Sequence, residues 1–189
     1  MYSPQYAVQD DPEASKEVIR QNSFATVVYN NNAFHLPMLL EGNKLIGHMA
    51  KANNAWEALK SSESLFIFHG PHHYISPTFY GSEANVPTWN YISVHVRGTV
   101  IIREDEAFLK RAILELSKKF DPSFDIEKNM ADHKKLFSAI VGIEVEITDM
   151  FGKFKLAQSK PESERKNVIN ALEAINPALA AEMKKTIRR

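Results

Sequence analysis

The chain has 189 residues, 44% hydrophobic and 24% charged, and its 23 basic residues balance 23 acidic ones. That is enough for one domain with a real core, and a neutral chain is a poor default DNA binder, because non-specific binding draws on cationic charge. The absence of cysteine excludes disulfides, thiolate metal sites and cysteine nucleophiles. The start, MYSPQYAVQDDPEASK, lacks the basic segment and apolar run of a signal peptide. No apolar run approaches the roughly 20 residues of a membrane span, so the expectation is a cytoplasmic protein with no membrane partner.

Asp11-Pro12-Glu13 opens a helix, with Asp as the cap and Pro at the first helical position, running to about Asn22. Phe24–Tyr29 is β-branched and aromatic, and Asn30-Asn31-Asn32 tolerates the positive φ of a tight turn. Ala33–Leu40 alternates as a strand that Pro37 confines to an edge or a bulge. Glu41–Lys44 turns the chain into Leu45–Met49.

Asn53 or Asn54 can cap a short helix to about Lys60, and Leu65–His69 reads as a buried strand. His69–Gly98 then holds four of the seven histidines and prolines at 71, 77 and 87. Its rings, amides and fixed-φ residues between two strand signals predict a stiff, hydrogen-bonding loop at a small-molecule site. Tyr91 to Ile102 alternates as a long half-buried strand, where Gly98 predicts a bend or bulge.

Glu104–Phe120 is an amphipathic helix, and Met130–Ile140 reads as weakly helical. Ile143–Thr148 and Gly152–Ala157 follow as two strands. Ser159-Lys160-Pro161-Glu162 matches a capping box for a helix to about Ile175, and Asn176-Pro177 starts another to the end. About six to seven antiparallel strands with a few helices predict an α+β, mainly β barrel with a C-terminal helical arm. From Lys160 onward seven Lys/Arg face four Asp/Glu, an asymmetry that a solvated helix face explains.

No dinucleotide fingerprint, P-loop, nucleophile elbow or zincin motif is present. The loop histidines lack the acidic or thiolate company of a metal site, so no metal is expected. The junction His48-Met49-Ala50-Lys51 with Asn53 and Asn54 leaves a strand and enters a helix. Converging N–H groups, a lysine and two amides can hold a phosphate there, or form an ordinary capped helix. Trp89-Asn90 can be a ring-stacking platform with an amide, or a strand start anchored in the core.

The ordered set HLP (35–37), GHMAKANNAW (47–56), GPHHYISPTFY (70–80), VPTWNYISVHVRG (86–98), IVGIEVEI (140–147) and GKFKLAQ (152–158) resembles the PaiB-type negative transcriptional regulators. The resemblance implies a split β-barrel of the FMN-binding, pyridoxamine-phosphate-oxidase-like kind over residues 1–158, with 159–189 as a helical extension. It implies a homodimer with a flavin pocket at the interface and the phosphate near His48, Met49, Ala50, Lys51, Asn53 and Asn54. His35, Tyr74, Ser76, Trp89 and Asn90 would lie near that pocket, and Lys155 would add charge. The family motifs usually carry Pro at Asn54 and Trp at Phe154. No catalytic residue is singled out. The alternatives are a flavin-dependent oxidoreductase, a haem-binding split barrel with a central histidine as axial ligand, and direct DNA contact, which the charge does not support.

Overall fold

The computed structural model describes residues 3–82, 85–123 and 137–187. Its strands are β1 (Val8–Gln9), β2 (Phe24–Tyr29), β3 (Asn32–Pro37), β4 (Leu39–Glu41), β5 (Lys44–Ala50), β6 (Glu63–Ile75), β7 (Thr88–Arg103) and β8 (Ile140–Lys155). The helices are α1 (Pro12–Gln21), α2 (Ala55–Leu59), α3 (Pro77–Tyr80), α4 (Glu106–Phe120), α5 (Glu162–Glu173) and α6 (Pro177–Ile187). The sheet order is β3-β2-β6-β7-β8-β5-β4, with β1 on β8, and every recorded register is antiparallel. The expected fold class, α+β and mainly β, is what the chain adopts. The weakly helical reading of Met130–Ile140 falls, up to residue 136, outside the described residues.

Contacts group the chain into two units, one of residues 16–68 and 95–150, the other of residues 1–15, 69–94 and 151–189. In the first, β2 and β3 form a hairpin whose two turn residues, Asn30 and Asn31, have φ of 41° and 56°. Asparagine accepts that left-handed conformation at low cost, which fixes the register Phe24↔Pro37 to Tyr29↔Asn32. Pro37 ends β3 at the end of the strand order, as its missing N–H demands. The chain breaks at Met38, whose N–H bonds Ser23 O at 2.7 Å, so the single strand expected over 33–40 becomes β3 and β4.

α4 lies on β5, with Asp105 capping it by accepting the Phe108 N–H at 3.0 Å. Leu39, Ile46, Phe108, Ala112 and Leu116 form the apolar cluster between them. Gly98 does not interrupt β7. A Cβ there would meet Glu146 O and Val145 Cγ1 at 2.5 Å, so the glycine permits close approach to β8 rather than a bulge.

In the second unit, β6 continues through Pro71 to Ile75 instead of giving way to a loop at His69. Gly70 allows this, because a Cβ there would lie 2.9 Å from Ile92 Cβ. Among the described residues, the non-strand part of the central stretch is 76–82 and 85–87, where Ser76 caps the single turn of α3. β8 is also continuous across the expected gap at 149–151.

α5 starts after Pro161 with no side-chain cap, so the Ser159 capping box does not form. α6 is capped by Asn176, whose Oδ1 accepts the Leu179 N–H at 3.0 Å. It buries Leu179, Ala180 and Met183. Full burial of a leucine or methionine contributes about 1.5–3 kcal/mol, so this short stripe holds α6 by only a few such increments.

Candidate functional site

The first unit carries the strand-to-helix junction. Side chains alternate along β5, so His48 and Ala50 share the face of Ile46, which α4 covers, and Met49 points the other way into the core. His48 and Met49 therefore belong to different surroundings. Burial pushes the His48 pKa below its ordinary value, and its Nδ1 has no hydrogen-bond partner among the described residues. Desolvation favours the neutral imidazole there.

Lys51 Nζ lies 2.9 Å from Glu104 Oε1, and this ammonium holds the Glu104 carboxyl below the usual carboxylate range. The Lys51 N–H donates to Ala139 O at 2.8 Å, and its carbonyl accepts from Trp56 Nε1 at 3.1 Å. Asn53 Oδ1 accepts the Ala55 N–H at 3.2 Å, whereas Asn54, the helix-cap position, makes no side-chain cap bond. α2 spans five residues, too few for a substantial helix dipole, so any charge for an anion comes from Lys51. His35 sits on β3 and stacks on Phe24, with ring centroids 5.5 Å apart at 17°. Its ring partner thus lies on the β2–β3 hairpin, not among the junction residues.

The second unit carries the rings. Trp89 is 52% and Tyr74 43% exposed, although both are large and apolar. Their rings meet edge-on at 6.3 Å, and His72 lies 6.2 Å from Trp89 on the β6 side. His72 Nδ1 contacts Gly70 O at 3.3 Å, and His72 O accepts from Asn176 Nδ2 at 3.1 Å. Ser76 is occupied as the α3 cap, accepting the Thr78 N–H at 3.3 Å.

Asn90 follows Trp89 but is fully buried, as strand alternation requires. Its Nδ2 donates to Met183 Sδ at 3.4 Å, and its Oδ1 has no partner among the described residues. Lys155 Nζ donates to the Thr88 hydroxyl at 2.6 Å, a neutral acceptor that leaves the lysine's charge uncompensated by that bond. The structure thus gathers Tyr74, Trp89 and His72 into one exposed ring cluster and places Asn90 on the opposite face of its strand.

Three relationships escaped sequence reasoning: Glu104 on Lys51, Thr88 on Lys155 and Met183 under Asn90. None had a local signal, since Glu104 lies 53 residues from Lys51. The other two partners lie 67 and 93 residues away.

Residues 1–149 match the family model described as "Putative FMN-binding domain". The chain belongs to this FMN-binding domain family. It is 30% identical over 186 residues to "Protease synthase and sporulation protein PAI 2" of Bacillus subtilis (strain 168), covering 92% of this chain and 89% of that protein. The resemblance to the PaiB-type family, read from the motifs, therefore stands.

Among solved structures, the flavocytochrome Anf3 from Azotobacter vinelandii superposes with a TM-score of 0.64 at 18% identity, covering 81% of this chain and 72% of that one. The FAD and heme binding protein from Mycobacterium smegmatis gives 0.62 at 17% identity, covering 85% and 78%. At these identities the likeness establishes the fold that the FMN-binding family shares. Among the described residues no helix is long and apolar enough to cross a membrane.

An FMN needs a cation for its phosphate, a flat apolar surface for its ring and polar groups for its imide edge. Each unit carries groups that fit part of this need: Lys51 in a half-exposed ion pair in the first, and in the second exposed Trp89 and Tyr74 together with Lys155, whose bond among the described residues is to a neutral hydroxyl. Bound FMN supplies two-electron chemistry, whereas the side chains supply position and electrostatics.

Proposed function

We propose that this protein binds FMN as a homodimer and serves a regulatory role of the PaiB type. The observation that carries the reading is the exposed Trp89–Tyr74 ring pair in a chain of the FMN-binding family. Large rings left in water mark an interaction site, and a flavin or a second subunit would each cover them.

In the first unit Lys51 and Asn53 are the phosphate candidates that the resemblance implies. The Lys51–Glu104 pair is exposed and weak, so a dianionic phosphate can replace the carboxylate. Lys155 with Thr88 is the second candidate, in the other unit. Trp89 and Tyr74 are the ring-stacking residues. His35, His48, Met49, Ser76 and Asn90 are secondary in this reading, because their side chains are stacked, buried or capping, whereas exposed Ala50 and Asn54 stay with Lys51 as the resemblance implies.

Trp89, Tyr74, Val86 and Ile175 are exposed large apolar residues of the second unit and support its assignment to the dimer interface. The PAI 2 protein is named for protease synthesis and sporulation. For this chain the corresponding reading is control of gene expression in the cytoplasm through flavin sensing. A net charge of zero argues against direct DNA contact.

The test is a visible spectrum of the purified protein before and after FMN addition, with light scattering for the molar mass. Flavin bands that stay with a protein of twice the chain mass support the reading. A monomer with free FMN overturns it.

A haem reading has one supporting observation. His72 has Nδ1 against a backbone carbonyl and leaves Nε2 as a ligand atom, the arrangement that metal-binding histidines use. A Soret band on haem addition that His72→Ala abolishes would favour it, and an unchanged haem spectrum would remove it.

A further inference from the structure

We infer that α6 is a displaceable latch over Asn90, coupled to the Trp89 ring cluster through Asn176. The ligand in this inference rests on the flavin reading above; the latch itself rests on packing within the second unit.

Asn90 is fully buried, yet its Nδ2 donates to a thioether, among the weakest acceptors available, and its Oδ1 has no partner among the described residues. Native interiors rarely leave such a group unpaired. Four buried side-chain polar atoms lack a partner among the described residues, and two of them, Asn90 Oδ1 and Arg165 Nε, belong to residues bonded to α6. Arg165 reaches Thr186 Oγ1 through Nη2 at 2.5 Å. The polar groups beneath this helix are thus poorly matched to it.

The rest of the hold is an apolar stripe packed on α5 and one exposed ion pair. Leu179, Ala180 and Met183 form one short stripe, and the Lys184–Glu173 pair, half exposed on both sides, is open to screening. Releasing α6 frees the Asn90 carboxamide to bond water or ligand, which lowers the cost of opening.

Asn176 makes this opening respond to the rings. Its Oδ1 caps α6 on the Leu179 N–H, while its Nδ2 holds His72 O at 3.1 Å. The His72 ring lies against Trp89. A planar ligand stacking on Trp89 competes with the His72 ring, moves the β6 segment that Asn176 grips, and pulls on the first turn of α6. By reciprocity, loosening α6 strengthens ring stacking.

Hydrogen exchange on the full chain tests this. Without ligand, the amides of 177–187 should exchange about tenfold faster than those of 162–173, and FMN should accelerate α6 roughly tenfold further. Asn176→Asp keeps the capping acceptor and removes the donor to His72. In this variant the FMN response of α6 should vanish while FMN quenching still occurs.

A second readout uses the absence of cysteine. Met183→Cys and Val168→Cys each introduce one thiol at a fully buried position, on α6 and α5. A thiol reagent should label the former at least about tenfold faster. Equal protection of α5 and α6 in unliganded protein, by exchange or by labelling, overturns the latch. An α6 response to FMN that survives in Asn176→Asp overturns the coupling. If FMN fails to quench, the flavin reading fails, and the unliganded comparison still decides the latch.

Discussion

Lys51 Nζ and Glu104 Oε1, 2.9 Å apart, neutralise each other at the mouth of the strand-to-helix junction. A phosphate that uses Lys51 must displace this carboxylate. Glu104→Gln should therefore tighten FMN binding by roughly two- to fivefold, the scale of an exposed ion pair. Lys51→Ala should weaken it. If Lys155→Ala alone weakens binding and Glu104→Gln has no effect, the phosphate belongs with Thr88 and Lys155. Calorimetric titration of each variant with FMN makes the distinction.

Trp89 is half exposed and contributes little to the core, so Trp89→Ala should leave the unfolding midpoint nearly unchanged. Loss of its ring should cost about 0.5–1.5 kcal/mol of flavin stacking, roughly two- to twelvefold in affinity. Titration of the variant with FMN checks the affinity, and urea unfolding checks the fold. Unchanged affinity would move the ring site away from Trp89.

Gly98→Ala adds a methyl where backbone and side chain of β8 stand at 2.5 Å. Backbone cannot step aside as a flexible side chain can. The variant should lose about 1–3 kcal/mol of stability by urea denaturation, the range for overpacking. A neutral result would show that β7 and β8 are less tightly apposed than described.

His48 sets a pH dependence. Burial lowers its folded-state pKa below the ordinary 6.5. The unfolded chain therefore takes up a proton that the folded chain resists. The stability associated with neutral His48 is present above about pH 6.5 and is lost as pH falls from there through the folded pKa. Urea midpoints of wild type and His48→Leu between pH 7.5 and 5.5 should show the wild type falling more steeply. Parallel slopes would mean that His48 is hydrated.

Local chemistry was legible where one segment determines its own structure. Asp11 caps α1, accepting the Glu13 N–H at 3.0 Å; Asn30-Asn31 turns the first hairpin, Pro37 ends an edge strand, and Asn176 caps α6. The fold followed from motif order, because the spacing of the six motifs tracks the strands that carry them. What escaped reading depends on distant partners. Pro71 looked like a loop residue because nothing local reveals that Gly70 packs against Ile92 and carries β6 onward. The Ser159 capping box failed because α5 begins only after Pro161. At the site, Trp89-Asn90 read either as a stacking platform or as a strand start anchored by Trp89, yet strand alternation leaves Trp89 exposed and buries Asn90 against Met183. The partner of each lysine was equally unreadable, since Lys51 meets an acid and Lys155 a hydroxyl.

The central claim is that this chain binds FMN, and fluorescence titration tests it most directly. With FMN held at low micromolar concentration, adding protein should quench flavin emission saturably, to one FMN per chain, and Trp89→Ala should shift the curve to higher concentration. Flavin emission that stays constant across the titration would contradict the account.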